Sequence, residues 1–199
     1  MLADAPDLLS LAFRIAGFIL LLNASGVPIF NVALSRVLSP ESLRATARLG
    51  GRMAIAALVF VVGQYLLEAG RMAGDLSGVL DPSLQAMVLQ SSTGVAFGLR
   101  VAGLVLIGAG LMSTGAALRW RGRAVALSGA ALSILSFTAV GHTSVSPYRP
   151  AAAALLVLHL LIVSFWMGAL WPLYQAPSSR LIDAFSRTAA WIVPVILLA

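Results

Sequence analysis

The stretch PAAAALLVLHLLIVSFWMGALW, residues 150–171, contains no Asp, Glu, Lys or Arg and decides the fold class of the chain. A helix needs about 20 apolar residues to cross the hydrocarbon core of a membrane, so this stretch predicts a transmembrane helix. Its first residue is a proline, which is tolerated in the first turn of a helix because no hydrogen bond is lost there. The whole chain is 60% hydrophobic and only 10% charged, which excludes an ordinary soluble domain.

Other apolar stretches predict further spans. We expect an all-α, polytopic membrane protein that forms one helical domain over residues 1–199, with about six transmembrane helices. The expected spans lie near residues 8–34, 53–73, 94–118, 124–145, 150–171 and 189–199. The last of these is too short to cross a bilayer, so we interpret the chain as cut short or as part of a larger parent. The alternative is a short re-entrant or interfacial end.

The distribution of arginine predicts the orientation. All 13 basic residues are Arg, and nine of them crowd into alternate gaps between the expected spans: Arg36, Arg44, Arg48, Arg52, Arg119, Arg121, Arg123, Arg180 and Arg187. Because cytoplasmic loops accumulate positive charge, the gaps at 35–52, 119–123 and 174–188 should face the cytoplasm and the N-terminus the periplasm. A nucleic-acid partner is excluded despite a pI near 11.3, since these arginines lie between membrane spans and not on one polar surface.

Two histidines are the candidate metal ligands. His142 lies near the outer end of the fourth expected span and His159 lies inside the fifth, where ionisable groups are costly and usually functional. Consecutive spans are antiparallel neighbours, so the imidazoles can approach each other, either to share one ion or to form a relay of two sites. The alternative is that each neutral imidazole hydrogen-bonds a facing carbonyl. Since the chain has no cysteine, Met72 and Met87 on the outer side are the further candidate ligands for copper.

Three more side chains are candidates for polar or aromatic roles inside the membrane. Arg100 can snorkel outward or pair with Glu68. Trp166 follows His159 by seven residues, so it returns to nearly the same helix face and could close a cavity or simply pack. Small residues spaced along 94–115 predict close packing of the third span against a neighbour. An acidic cap and a proline at Asp81-Pro82 predict a short outer helix over 81–90.

The string Gly141-His142-Thr143, followed by Leu158-His159-Leu160 and Trp166-Met167-Gly168-Ala169-Leu170, resembles the copper-resistance protein D (CopD) family. The resemblance implies a multi-pass protein of the bacterial inner membrane that moves copper, as Cu(I) or Cu(II), from periplasm to cytoplasm or takes part in copper tolerance. It also implies a periplasmic partner of the CopC type. By this resemblance, His142 and His159 are the positions expected to have the family's functional role. Family members usually continue with further spans beyond the point where this chain ends.

Copper binding and permeation is therefore the leading hypothesis. The alternative is a b-type haem electron-transfer protein with His142 and His159 as axial ligands, because two histidines on neighbouring helices suit a bis-imidazole haem. A third hypothesis is a structural membrane subunit without a ligand. An enzyme is not expected, since the sequence has no metalloprotease histidine pair, no nucleophile elbow and no paired carboxylates within the spans.

Overall fold

The computed structural model describes residues 5–112, 120–140, 148–175 and 178–198, and every regular element within these ranges is helical. The α-helices are α1 (Ala5–Ala33), α2 (Pro40–Ala73), α3 (Pro82–Gln90), α4 (Ser92–Met112), α5 (Trp120–Leu135), α6 (Arg149–Gln175) and α7 (Ser179–Leu198). Two short 3-10 helices, Leu76–Leu80 and Ser136–Ala139, follow α2 and α5.

Five of the described helical segments are long and apolar enough to cross a membrane: Leu8–Ala33, Pro40–Ala73, Ser92–Met112, Trp120–Ala139 and Pro150–Gln175. Large apolar side chains on their outer surfaces stay exposed, for example Val59 at 62% and Leu170 at 63%. An apolar exterior of this kind suits lipid and not water. The predicted multi-pass helical membrane bundle is therefore confirmed.

The first helix lies at the centre of the bundle, in contact with α2, α4, α5 and α6. Leu21, Leu22 and Val27 of α1 are at most 2% exposed, and they pack in one core cluster with residues such as Ile107 and Ile134 from the other spans. Because α1 contacts the four other spans, the way it packs against them determines where their polar residues lie relative to one another.

The second helix begins far earlier than the span expected near 53–73. Ser39 caps its N-terminus by accepting a hydrogen bond from the backbone N–H of Ser42, and Pro40 and Glu41 occupy the first turn. These are favourable start residues. Residues 40–52, which were predicted as part of the gap before the second span, are therefore helical, and the side of the membrane that they face stays a prediction. The arginines spaced by four, Arg44, Arg48 and Arg52, are exposed along this first part of the helix.

The fourth span also begins earlier than expected. Residues 120–123, predicted as part of a gap between spans, form the first turn of α5, and their position on the cytoplasmic side stays a prediction. Its α-helix ends at Leu135 and continues as the 3-10 turn Ser136–Ala139. The expected ends of the third and fourth spans, at 113–118 and 141–145, lie outside the described residues.

The segment expected to begin a sixth span is the second half of α7. This helix begins at Ser179, inside the predicted gap at 174–188, and it is not among the five described helices that meet the length and hydropathy of a membrane span. Its buried Leu181 packs with Phe165 of α6, and Phe185 stacks on the same ring at 5.7 Å between centroids. Trp191 is 83% exposed. A sixth span therefore stays a prediction.

The predicted short helix after Asp81 is confirmed as α3. Asp81 caps it, because its carboxylate accepts hydrogen bonds from the backbone N–H groups of Ser83 and Leu84 and from the Ser83 hydroxyl. The helix is fastened to α2 by Tyr65, whose hydroxyl donates to the carbonyl of Gln85 at 3.0 Å. These bonds hold α3 against the last turns of α2, and α3 also contacts α4.

The Asp81 cap predicts a response to acid. The Ser83 hydroxyl, followed by the backbone N–H groups of Ser83 and Leu84, holds the pKa of Asp81 below its usual range. The carboxylate form is therefore favoured by folding, and its contribution is present above the unfolded-state pKa of about 3.9 and lost as the pH falls through the lowered value. Hydrogen exchange at the amides of Ser83 and Leu84 should lose protection below about pH 4. Asp81→Asn, which accepts hydrogen bonds without titrating, should show no such step; an equal step in that variant would contradict the prediction.

Close packing of the third span, predicted from its small residues, is confirmed at two points. A Cβ added to Gly103 would lie 2.6 Å from the carbonyl oxygen of Gly129, and one added to Gly110 would lie 2.7 Å from that of Gly122. Backbones this close leave room for glycine only. Gly98 and Gly108 face open space, so the prediction does not hold for every small residue of α4.

Candidate functional site

A cavity of about 910 Å³ opens between α1, α2, α4, α6 and the turn that ends α5. Its lining comes from the start of α1, α4 and α6 and from the end of α2 and α5, so these helix ends meet at one end of the bundle, here called the cavity end. The opposite end, here called the arginine-rich end, carries the exposed residues Arg36, Arg44, Arg48 and Arg121. The floor of the cavity includes the buried apolar residues Leu21, Val61 and Leu160.

Six polar or charged side chains line this cavity: Arg14, Gln64, Glu68, Thr93, Arg100 and His159. The structure therefore brings together three of the residues predicted from the sequence, namely Glu68, Arg100 and His159. Gln64 was missed, although it precedes Glu68 by four residues and so shares its helix face, which is a signal that the sequence contains.

His159 borders the cavity from α6 with its side chain exposed. It makes no hydrogen bond and no ion pair with any residue in the described part of the chain. The alternative that its imidazole hydrogen-bonds a carbonyl of a facing helix is therefore not what the structure shows. One nitrogen of a neutral imidazole carries a free lone pair, so His159 can act as a ligand to a metal ion that enters the cavity.

His142, the second predicted ligand, lies in 141–147 and so outside the described residues. Its approach to His159, and whether the two share an ion, stay predictions. Val140, the last described residue before it, lines the cavity.

Arg100 is anchored at the end of α5 and not by an acid. Its Nε donates to the Ser136 hydroxyl at 3.1 Å, and its guanidinium lies 4.7 Å from the centre of the Phe137 ring. Ser136 in turn donates to the carbonyl of Ser133 at 2.6 Å. This arrangement leaves the other N–H groups of the guanidinium available, since an arginine side chain has five donors.

Glu68 pairs with Arg71, one turn away on α2, with an N–O distance of 3.1 Å. Among the described side chains the expected pair between Arg100 and Glu68 is therefore not formed, although both line the cavity. The physical reason is that Arg71 lies three residues from Glu68 on the same helix, so it reaches the carboxylate whatever the register between neighbouring helices.

The remaining predicted site residues lie elsewhere. Met72 is 50% exposed in the last turn of α2, and Met87 is 58% exposed on α3. Trp166 is 41% exposed on α6. None of the three lines the cavity, so the structure does not bring them to His159. Across the described ranges no three His, Asp or Glu residues are close enough together to hold a metal ion.

Beneath the cavity, α1 and α6 cross in close contact. A Cβ added to Gly26 would lie 2.8 Å from the backbone nitrogen of Gly168. The hydroxyls of Ser25 and Ser164 are buried at this crossing without a hydrogen-bond partner. Buried polar groups of this kind are uncommon, because leaving one unpaired costs about 1–3 kcal/mol.

The part of the chain that contains the first four spans matches a known protein family. Residues 4–147 match the profile of the family described as copper resistance protein D-like, N-terminal domain. The match ends before α6, so the segment with His159 lies beyond the matched residues. No curated protein and no solved structure shows significant similarity to the chain. Since the match covers well over half of the chain and the spans it includes form a membrane bundle, the chain belongs to the copper resistance protein D-like family.

Proposed function

We propose that the protein carries copper ions across the bacterial inner membrane, and that the cavity is the site where the ion enters. Membership of the family supports a role in copper resistance in the broad sense. The observation that carries the finer proposal is the free imidazole of His159 at an open cavity within the spans. Imidazole is a good ligand for copper, and an ionisable group at this depth is usually functional.

The orientation supports entry from the periplasm. Arginines gather at the arginine-rich end, and positive charge accumulates on the cytoplasmic side of membrane proteins. The cavity end then faces the periplasm, where a copper-binding protein of the CopC type would deliver the ion. Met72 and Met87 are exposed near this end and suit transient contact with Cu(I) during delivery.

Passage beyond the cavity requires a movement of the helices. The buried side chains of Leu21, Val61 and Leu160 line the cavity on its apolar side, so an ion that leaves His159 inward has to pass between packed helices. Ser25 and Ser164, whose hydroxyls are buried without a hydrogen-bond partner, lie on α1 and α6 where the two helices come close at Gly26. A small separation of α1 and α6 would give an ion two oxygen ligands there. On this proposal the structure represents a state open to the outside and closed to the cytoplasm.

The haem alternative needs two axial histidines. His159 lines the cavity, and His142 lies outside the described residues, so their approach stays a prediction for a haem as it does for copper. We derive no step through a haem, and an absorption spectrum distinguishes the two functions.

The test is metal analysis and an absorption spectrum on the purified wild type and on His159→Ala and His142→Ala. The wild type should retain copper after washing, and the His159→Ala protein should retain at least about tenfold less at the same free copper concentration, since loss of a ligand or its support costs 10–100-fold in affinity. Trp166→Ala, two turns away on the same helix, is the matched control and should bind as the wild type does. Equal copper in the wild type and His159→Ala would overturn the proposal, and a Soret band would replace it with the haem alternative.

A further inference from the structure

The charge of the cavity is unusual for a site that receives a cation. Of its described lining residues, Arg14 and Arg100 are basic and Glu68 alone is acidic, and the charge of Glu68 is already balanced by Arg71. Like charges close together in a poorly screened site repel strongly. A bare copper ion would therefore meet a surplus of positive charge before it reached His159.

Arg14 and Arg100 both have N–H groups that donate no hydrogen bond to the described residues. Arg14 forms no hydrogen bond or ion pair with the described residues, so its five N–H groups are available. Arg100 uses its Nε on Ser136, which leaves the four N–H groups of its two terminal nitrogens without an acceptor among the described residues. Guanidinium groups are the usual partners of carboxylate and phosphate, which they bind through two parallel hydrogen bonds.

The size of the cavity fits a small molecule and not a single ion. Its volume of about 910 Å³ lies within the range of roughly 300–1,000 Å³ that is typical of ligand pockets. The ring of Phe137 and the hydroxyl of Ser136 hold the Arg100 guanidinium in place. A donor group fixed before the ligand arrives loses little conformational freedom on binding.

We propose that Arg14 and Arg100 bind an oxyanion, a carboxylate or phosphate group, inside this cavity. The next step rests on the copper function proposed above. The oxyanion then belongs to a chelator of copper. The guanidinium groups hold the chelator, and His159 takes a coordination position on the metal. The positive charge of the cavity then attracts the cargo, because a copper–polycarboxylate complex is anionic. The same chemistry is offered by a phospholipid headgroup that reaches into the cavity from the bilayer.

The experiment measures oxyanion binding without copper. Wild-type protein purified in a maltoside detergent, free of phosphate and carboxylate, is titrated calorimetrically with citrate and with inorganic phosphate. Arg14→Gln and Arg100→Gln should each weaken binding at least about tenfold, because hydrogen bonds to charged groups are the strong ones. Arg121→Gln, the same charge change at the arginine-rich end, is the control and should leave binding within about twofold of the wild type.

A second arm identifies the source of the oxyanion. Native mass spectrometry of the wild type and of Arg14→Gln reports phospholipid that remains bound. Lipid that the wild type retains and the variant loses assigns the site to a headgroup, whereas citrate binding without retained lipid assigns it to a soluble chelator. Arg14→Gln is decisive even if Arg100→Gln does not fold, because Arg14 is exposed and has no partner among the described residues.

The two proposals fail separately. His159→Ala should leave citrate binding within about twofold of the wild type, since the two guanidinium groups, and not His159, are the proposed ligands of the oxyanion. If citrate binds as expected but His159→Ala retains copper, the copper proposal fails and the oxyanion site stands. If neither citrate, phosphate nor lipid distinguishes Arg14→Gln from Arg121→Gln, the oxyanion proposal is wrong whatever the copper result.

Discussion

Replacing Gly26 with alanine should push α1 away from α6 and lower the thermal stability of the whole bundle. The new Cβ would lie 2.7 Å from the carbonyl carbon of Ser164 and 2.8 Å from the backbone nitrogen of Gly168. These are backbone atoms, so no side-chain rotation relieves the contact and the two helices must separate. Overpacking of this kind costs about 1–3 kcal/mol. Packing of small residues is also a main source of helix association in membranes, where no hydrophobic force drives it.

The matched control is Gly98→Ala on α4, because a Cβ at Gly98 meets nothing within 4 Å. Within a helix, alanine is normally more favourable than glycine by about 0.5–1 kcal/mol, so this variant should be neutral or slightly more stable. The same chemical change is therefore expected to destabilise the protein at Gly26 and not at Gly98. Thermal unfolding in detergent, followed by tryptophan fluorescence, measures the difference.

The size of the shift follows from the packing cost. A change of 1 kcal/mol moves the melting temperature by about 2–4 °C in a chain of this length, so Gly26→Ala should melt several degrees below Gly98→Ala. Gly168→Ala should behave like Gly26→Ala, and the double variant should cost less than the sum, since both changes break the same contact. Equal melting temperatures for Gly26→Ala and Gly98→Ala would show that α1 and α6 do not meet at these glycines.

Replacing His159 with alanine should abolish copper accumulation in cells that produce the protein. On the proposed function, the imidazole binds the ion within the cavity, and His159 is the single histidine among the described lining residues of the cavity. Accumulated copper should fall at least about tenfold, close to the level of cells without the protein, since metal sites lose 10–100-fold when their coordination is disturbed. The measurement is cellular copper at matched protein levels in the membrane fraction.

Two variants make this result specific. Trp166 is exposed on the same helix and lies outside the cavity. Cells that produce Trp166→Ala should therefore accumulate copper as cells with the wild type do. Leu160→Ala removes a buried apolar side chain from the cavity floor and reports whether a general loosening of the site is enough to stop transport. Wild-type accumulation by His159→Ala would contradict the proposed role of the imidazole.

Local sequence patterns predict the spans well and their ends less well. The cores of the five spans follow from runs of apolar residues, because the cost of placing a residue in lipid depends on that residue and little on its neighbours. The start of α2 was missed because Arg44, Arg48 and Arg52 were assigned to the gap before the second span. Charge does not end a helix; Ser39 and Pro40 begin one, and the arginines continue it on an exposed face.

The candidate site was predicted in part. His159, Arg100 and Glu68 are ionisable residues inside apolar runs, and that contrast alone singles them out. The partner of Arg100 could not be predicted in the same way. Whether it reaches Glu68 or Ser136 depends on the rotation of α4 against α2 and α5, and Glu68 has Arg71 within one turn of its own helix.

From its residues alone, the chain is a multi-pass helical membrane protein with ionisable groups in its spans and arginines at one end. Those properties are local, because hydropathy and charge belong to each segment separately. The tertiary structure alone decided that Arg14, Gln64, Glu68, Arg100 and His159 line one cavity while Met72, Met87 and Trp166 do not. The reason is that side chains from four helices meet only through the rotation and register of each helix, and these are determined by packing contacts such as the one between Gly26 and Gly168.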